Sequence, residues 1–208
     1  MKDLKNAELG GRNLGGDCGC GCSKNGYATA GCGPTTAESN DSQEDRKVLN
    51  VDLLVIDLST CKRCVPTGDQ LRVAVGMLKP VAEALGIELR HHEMVVKTPY
   101  EAKEVALLSS PSIRLNGRDI AQDIRESQCE SCGDLTDNNT LVDCREWHYR
   151  GKVYSAAPIA LLIEALMEAM LKIDETPPVF PAPLTQLPEN LQRYFDNRKP
   201  TLGKGCCA

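Results

Sequence analysis

The stretch Asn50–Gly86 reads NVDLLVIDLSTCKRCVPTGDQLRVAVGMLKPVAEALG. An apolar run, Leu53–Leu58, ends at a C-x-x-C formed by Cys61 and Cys64, and a helical pattern begins at once. A strand that delivers two cysteines to the start of a helix is the geometry of a redox site. The helix N-terminus carries partial positive charge and free N–H groups, and both favour a thiolate over a thiol. Lys62 and Arg63 add charge between the cysteines. Cys61 is therefore expected to be the more exposed and nucleophilic thiol, and Cys64 its resolving partner.

The helix itself is read from its periodicity. Thr67 and Gln70 have the spacing of a capping box. Leu71, Val75, Leu78, Ala82 and Leu85 fall on one face, and Gly86 is a natural stop. Pro80 inside the pattern predicts a kink.

The 208 residues are 41% hydrophobic, with a net charge of −5. That balance suits one globular domain with tails and argues against a nucleic-acid partner. No run approaches the roughly 18–20 apolar residues of a membrane span. The N-terminus lacks an apolar export segment, so the expected location is the cytoplasm.

Eleven cysteines are the outlying feature. They cluster as Cys18, Cys20, Cys22 and Cys32; Cys61 and Cys64; Cys129, Cys132 and Cys144; and Cys206 and Cys207. In a reducing compartment such clusters point to metal binding or redox chemistry rather than staples. Residues 1–47 are rich in Gly, Ser, Asn, Asp and Thr and read as a flexible arm. Its C-x-C repeats place soft donors on a pliable backbone, which suits thiophilic ions.

A second strand is expected over Ile87–Val96, with His91 and His92 as strand-face residues. Thr98, Pro99 and Glu101 open a second helix that should run to about Leu108. Ser110-Pro111 enters a third strand carrying Ile113 and Leu115, and Asn116-Gly117 is a hairpin turn. Residues 123–156 then interrupt the pattern. Cys129, Cys132, Cys144 and His148 follow C-x2-C-x11-C-x3-H, a spacing that would close a zinc or other soft-ion site. The alternatives are a second redox pair with Cys144 as third thiol, or thiols without a ligand. Pro158–Leu171 reads as a final helix. The span 174–208 is a proline-rich tail with a short helix at Glu189–Asp196, ending in Cys206-Cys207-Ala208.

This order of strand, C-x-x-C, helix, strand, helix, Ser-Pro, strand and Asn-Gly turn resembles the thioredoxin fold. The resemblance implies an α/β domain over 48–173, with the cysteine-bearing insertion before its last helix and flexible termini on either side. It further implies a cis Pro111 beside the dithiol, as a third active-site residue, and a Ser110 backbone able to pair with an extended thiol substrate. Cys61, Cys64, Pro66, Thr67, Ser110, Pro111, the Cys129/Cys132 pair, Cys144 and Trp147 are similar to those of an uncharacterised bacterial family of thioredoxin-like proteins. The terminal Cys206-Cys207 resembles the tail of mercuric reductases.

Three functions are compatible with these readings. Thiol–disulfide exchange by Cys61/Cys64 leads; it requires no cofactor, and its partner would be a thiol reductant or a disulfide-bearing protein. The alternative is capture and transfer of a soft ion such as mercury, arsenic or zinc by the cysteine-rich arms. The third is a zinc-stabilised scaffold whose dithiol is inert. A fold alone does not choose among them.

Overall fold

The computed structural model describes residues 46–121, 123–137 and 140–199. Cys18, Cys20, Cys22, Cys32, Cys206 and Cys207 lie outside them. The first strand, β1 (Lys47–Val55), is buried on one face at Leu49 and Val51, then on both faces from Leu53 to Val55. Helix α1 (Cys64–Ala84) carries the chain over to β2 (Ile87–Val95), which pairs parallel to β1 from Lys47↔Ile87 to Val55↔Val95. A parallel neighbour requires such a crossover. Leu49, Val51, Leu53, Leu71, Ala74 and Leu78 form the centre of an aliphatic core, each large side chain contributing about 1.5–3 kcal/mol.

Helix α2 (Pro99–Glu104) has the expected start: Thr98 Oγ1 accepts from Glu101 N, and Glu101 accepts from Lys97 N. It ends earlier than Leu108. Ala106 turns to φ 49°, and the Arg114 guanidinium donates to the carbonyls of Val105 and Ala106, closing the helix C-terminus. Strands β3 (Ser112–Leu115) and β4 (Arg118–Asp119) form the hairpin, with Asn116 and Gly117 at φ 48° and 80°. The sheet order is β2-β1-β3-β4, with β3 antiparallel to both neighbours.

The start of α1 differs from the capping-box reading. The helix begins at Cys64, and Thr67 lies inside it, fully buried. Its hydroxyl accepts from Ala157 N, just before helix α4 (Ile159–Leu171), and so fastens α4 to α1. Leu85, expected on the core face, is about half exposed, because the helix ends at Ala84 and Leu85 caps it outside the packed stripe.

Between β4 and α4 runs a second unit: β5 (Arg125–Gln128), α3 (Glu130–Gly133), β6 (Asp143–Tyr149) and β7 (Lys152–Tyr154). The three strands form their own antiparallel sheet in the order β5-β6-β7. After α4 the proline-rich segment crosses the first sheet's hairpin, where Val179 N donates to Asn116 O. Gly117 is required there twice over: its φ is positive, and a Cβ would lie 1.8 Å from Val179 O. The chain closes with α5 (Glu189–Asp196), which buries Leu191 and Tyr194 and packs on α2.

Candidate functional site: a buried cysteine cluster

Five cysteines from four segments meet in the interior. Cys61 lies in the loop before α1, Cys64 opens α1, Cys129 and Cys132 flank the first turn of α3, and Cys144 is on β6. All five are unpaired and at most 5% exposed. The Sγ atoms of Cys61, Cys129 and Cys132 all lie within 4.8 Å of one another. Cys132 Sγ is 3.4 Å from Cys61 Sγ and 3.1 Å from Cys144 Sγ.

The loop that presents Cys61 is shaped by Asp57. Its carboxylate accepts the backbone N–H groups of Ser59, Thr60 and Cys61 and the Ser59 hydroxyl. Burial pushes the Asp57 carboxyl up, but these hydrogen bonds, led by Ser59, outweigh it and hold the group below the ordinary carboxylate range. Cys61 Sγ in turn accepts the Cys64 N–H at 3.3 Å, the first free amide of α1. Cys64 Sγ stands 3.4 Å from Ser110 Oγ, and the Ser110–Pro111 peptide bond is cis.

The insertion is fastened over this loop. Arg63 donates to the carbonyls of Cys144, Arg145 and Gln128 and to the Ser127 hydroxyl. Lys62 N donates to Ser131 Oγ. Arg145 N donates to Ser110 O at 2.9 Å, so β6 lies on the backbone edge beside Pro111. On the opposite face of β6 the fully buried Arg145 guanidinium pairs with Asp119 at 2.8 Å and stacks over Trp147. Cys61, expected to be the exposed thiol, is consequently fully buried. Arg63, expected to act as a local charge beside it, is instead a clasp between the two units.

Electrostatics divide the five sulfurs. Hydrogen bonding from Cys129 first, then from Cys132, Cys144 and Cys64, together outweighs burial and holds Cys61 well below the usual thiol range. Cys132 and Cys144 likewise bring Cys129 down to about 6. Cys64 is pushed up by Cys61 and by burial, Cys132 mainly by Cys129, and Cys144 by Cys129 and Cys132. Physically, a packed set of thiols shares few negative charges, because adjacent thiolates repel; the remaining sulfurs keep protons and donate them. A thiophilic cation entering the cluster would displace those protons.

His148 is not part of the cluster. It stands four residues beyond Cys144 on an extended strand, about 13 Å along it at roughly 3.3 Å per residue. Its ring lies 3.4 Å from Glu146, more than a third exposed. The structure brings Cys61 to Cys129 and Cys132, a grouping that the C-x2-C-x11-C-x3-H spacing did not contain. Tyr194 of α5 is buried, its phenol pushed up to about 12 chiefly by burial. Asp57, Ser131, Arg145 and Asp119 are further residues around the site without a sequence motif of their own.

Residues 49–166 match the family described as "Domain of unknown function (DUF2703)". The chain belongs to this family. The DUF2703 span contains all five clustered cysteines, whereas the six terminal cysteines fall outside it. No curated protein and no solved structure matches the chain.

Proposed function

We propose that this DUF2703 chain is a thioredoxin-like thiol protein that binds a soft metal or metalloid ion in its interior, through Cys61, Cys129 and Cys132, with Cys144 adjoining. The observation that carries this reading is the convergence within 4.8 Å of three sulfurs from two distant segments, the loop before α1 and the α3 turn, in a site closed to solvent. Thiolates select soft ions, and zinc, arsenite and mercuric ion are the candidates. Strand order β2-β1-β3-β4, with the C-x-x-C at the β1–α1 junction, supports the thioredoxin-like assignment. A reducing compartment such as the cytoplasm would keep the five thiols available. Among the described residues, no helix is long and apolar enough to cross a membrane. The terminal cysteines would act as delivery arms.

Native mass spectrometry tests the ion reading. The full-length variant with Cys18, Cys20, Cys22, Cys32, Cys206 and Cys207 all changed to Ser should still bind one equivalent of ion when reduced. A further Cys129→Ser or Cys132→Ser change should weaken that binding at least tenfold. Undiminished binding by both would remove the proposed site.

A second reading, thiol–disulfide exchange by Cys61/Cys64, is favoured by the Cys64 N–H on Cys61 Sγ, which stabilises a thiolate there. Its partner would be a thiol reductant or a protein disulfide. For an external protein to reach Cys61, the insertion must first lift, since Arg145 already occupies the Ser110 carbonyl. Reduction of a protein disulfide by wild type, lost in Cys61→Ser, would establish it; absence of any such turnover would remove it.

A further inference from the structure

Three contacts place one strand of this protein where a dithiol's partner would lie. Arg145 N donates to Ser110 O, which seats β6 along the backbone edge beside the C-x-x-C. Cys132 and Cys144, two of the insertion's three thiols, are 3.1 Å apart. Cys132 is at the same time 3.4 Å from Cys61. The Arg63 clasp on Cys144 O and Gln128 O holds this register.

We infer that Cys132 and Cys144 form an internal disulfide pair and that Cys61/Cys64 reduce it, so that the first substrate of the dithiol is the chain's own insertion. The step balances as follows. A small-molecule disulfide of the glutathione class accepts two electrons from Cys132 and Cys144, leaving as two thiols and closing the Cys132–Cys144 bond. The Cys61 thiolate attacks Cys132 Sγ; the Cys61–Cys132 bond forms, the Cys132–Cys144 bond breaks, and Cys144 departs as a thiolate. Cys64 passes its proton to that thiolate and attacks Cys61 Sγ, forming Cys61–Cys64 and releasing the Cys132 thiolate. The net change moves two electrons from the C-x-x-C to the insertion. The small disulfide reaches the buried Cys132 and Cys144 only when the insertion loosens; the attack by Cys61 that follows needs no further opening, because the attacked sulfur is already inside.

This inference is independent of ion binding and is tested on metal-free protein. Full-length protein is reduced, freed of metal, treated with oxidised glutathione, quenched with acid and alkylating agent at intervals, and mapped by non-reducing peptide mass spectrometry. In wild type the Cys132–Cys144 link should appear first and decay as Cys61–Cys64 accumulates. Cys61→Ser should arrest the chain at Cys132–Cys144, and Cys64→Ser should trap Cys61–Cys132. Wild-type protein that forms Cys61–Cys64 with no earlier Cys132–Cys144 link overturns the relay, whatever the variants do. A Cys64→Ser trap joining Cys61 to Cys129 overturns it as well. Ion stoichiometry, measured separately on reduced protein, does not enter either outcome.

Discussion

Cys61 and Cys132 are separated by 71 positions in the chain, yet their Sγ atoms lie 3.4 Å apart. The contact joins the C-x-x-C loop of the first sheet to the helical turn of the insertion. Neither unit has the whole cluster by itself: the first supplies Cys61 and Cys64, and the second supplies Cys129, Cys132 and Cys144. Whatever chemistry the cluster performs therefore depends on the seam between them.

Arg63 is the main tie across that seam. Arg63→Ala removes four hydrogen bonds from a charged donor and leaves the Cys144 and Gln128 carbonyls without it. The variant should lose about 1–3 kcal/mol of stability. Alkylation of Cys61 at neutral pH should accelerate at least tenfold as the insertion loosens. Unchanged labelling kinetics would show that the clasp does not govern access.

Gly117 tests the strap. In Gly117→Ala the new Cβ would meet Val179 O at 1.8 Å, on a backbone at φ 80°. Strain of this kind costs about 1–3 kcal/mol. Thermal denaturation should show the loss, and hydrogen exchange should rise at Val179, whose N–H bonds to Asn116 O. A variant as stable as wild type would mean that the strap is not held at this point.

His91 gives the fold an acid-sensitive position. Burial, the larger influence, holds its imidazole below the usual value against the opposing pull of Glu93, and its Nε2 has no hydrogen-bond partner. Protonation is thus disfavoured in the folded state. Stability is complete above the unfolded value of about 6.5 and declines as pH falls through it toward the lower folded value. Denaturation midpoints should drop between pH 7 and pH 5 in wild type and drop less in His91→Gln. Parallel curves for the two proteins would contradict this.

Much of the first sheet was legible because its signals are local. The β1 run, the Thr98/Pro99/Glu101 helix start and the Asn116-Gly117 turn each act within a few residues, and each element formed where those residues stand. The limits of α1 and α2 were set by distant partners. Thr67 was recruited by Ala157, and Arg114 closes α2 from a strand eight or nine residues away. The site was legible in its residue types and not in its grouping. Spacing along the chain put His148 beside Cys144, but a strand carries position 148 away from it. The vacancy in the grouping was taken by Cys61, which only the docking of the insertion brings there. Burial of Cys61 followed from the same docking, and nothing within the C-x-x-C announces it.

The shell of atoms around a bound ion tests the central claim most directly. X-ray absorption spectroscopy on the zinc-loaded full-length protein, with the six terminal cysteines changed to Ser, should show at least three sulfurs at about 2.3 Å and no imidazole nitrogen. His148→Ala should leave that spectrum unchanged, and Cys61→Ser should remove one sulfur from it. A shell with a histidine nitrogen, or one indifferent to Cys61, would contradict an ion site built across the seam from Cys61, Cys129 and Cys132.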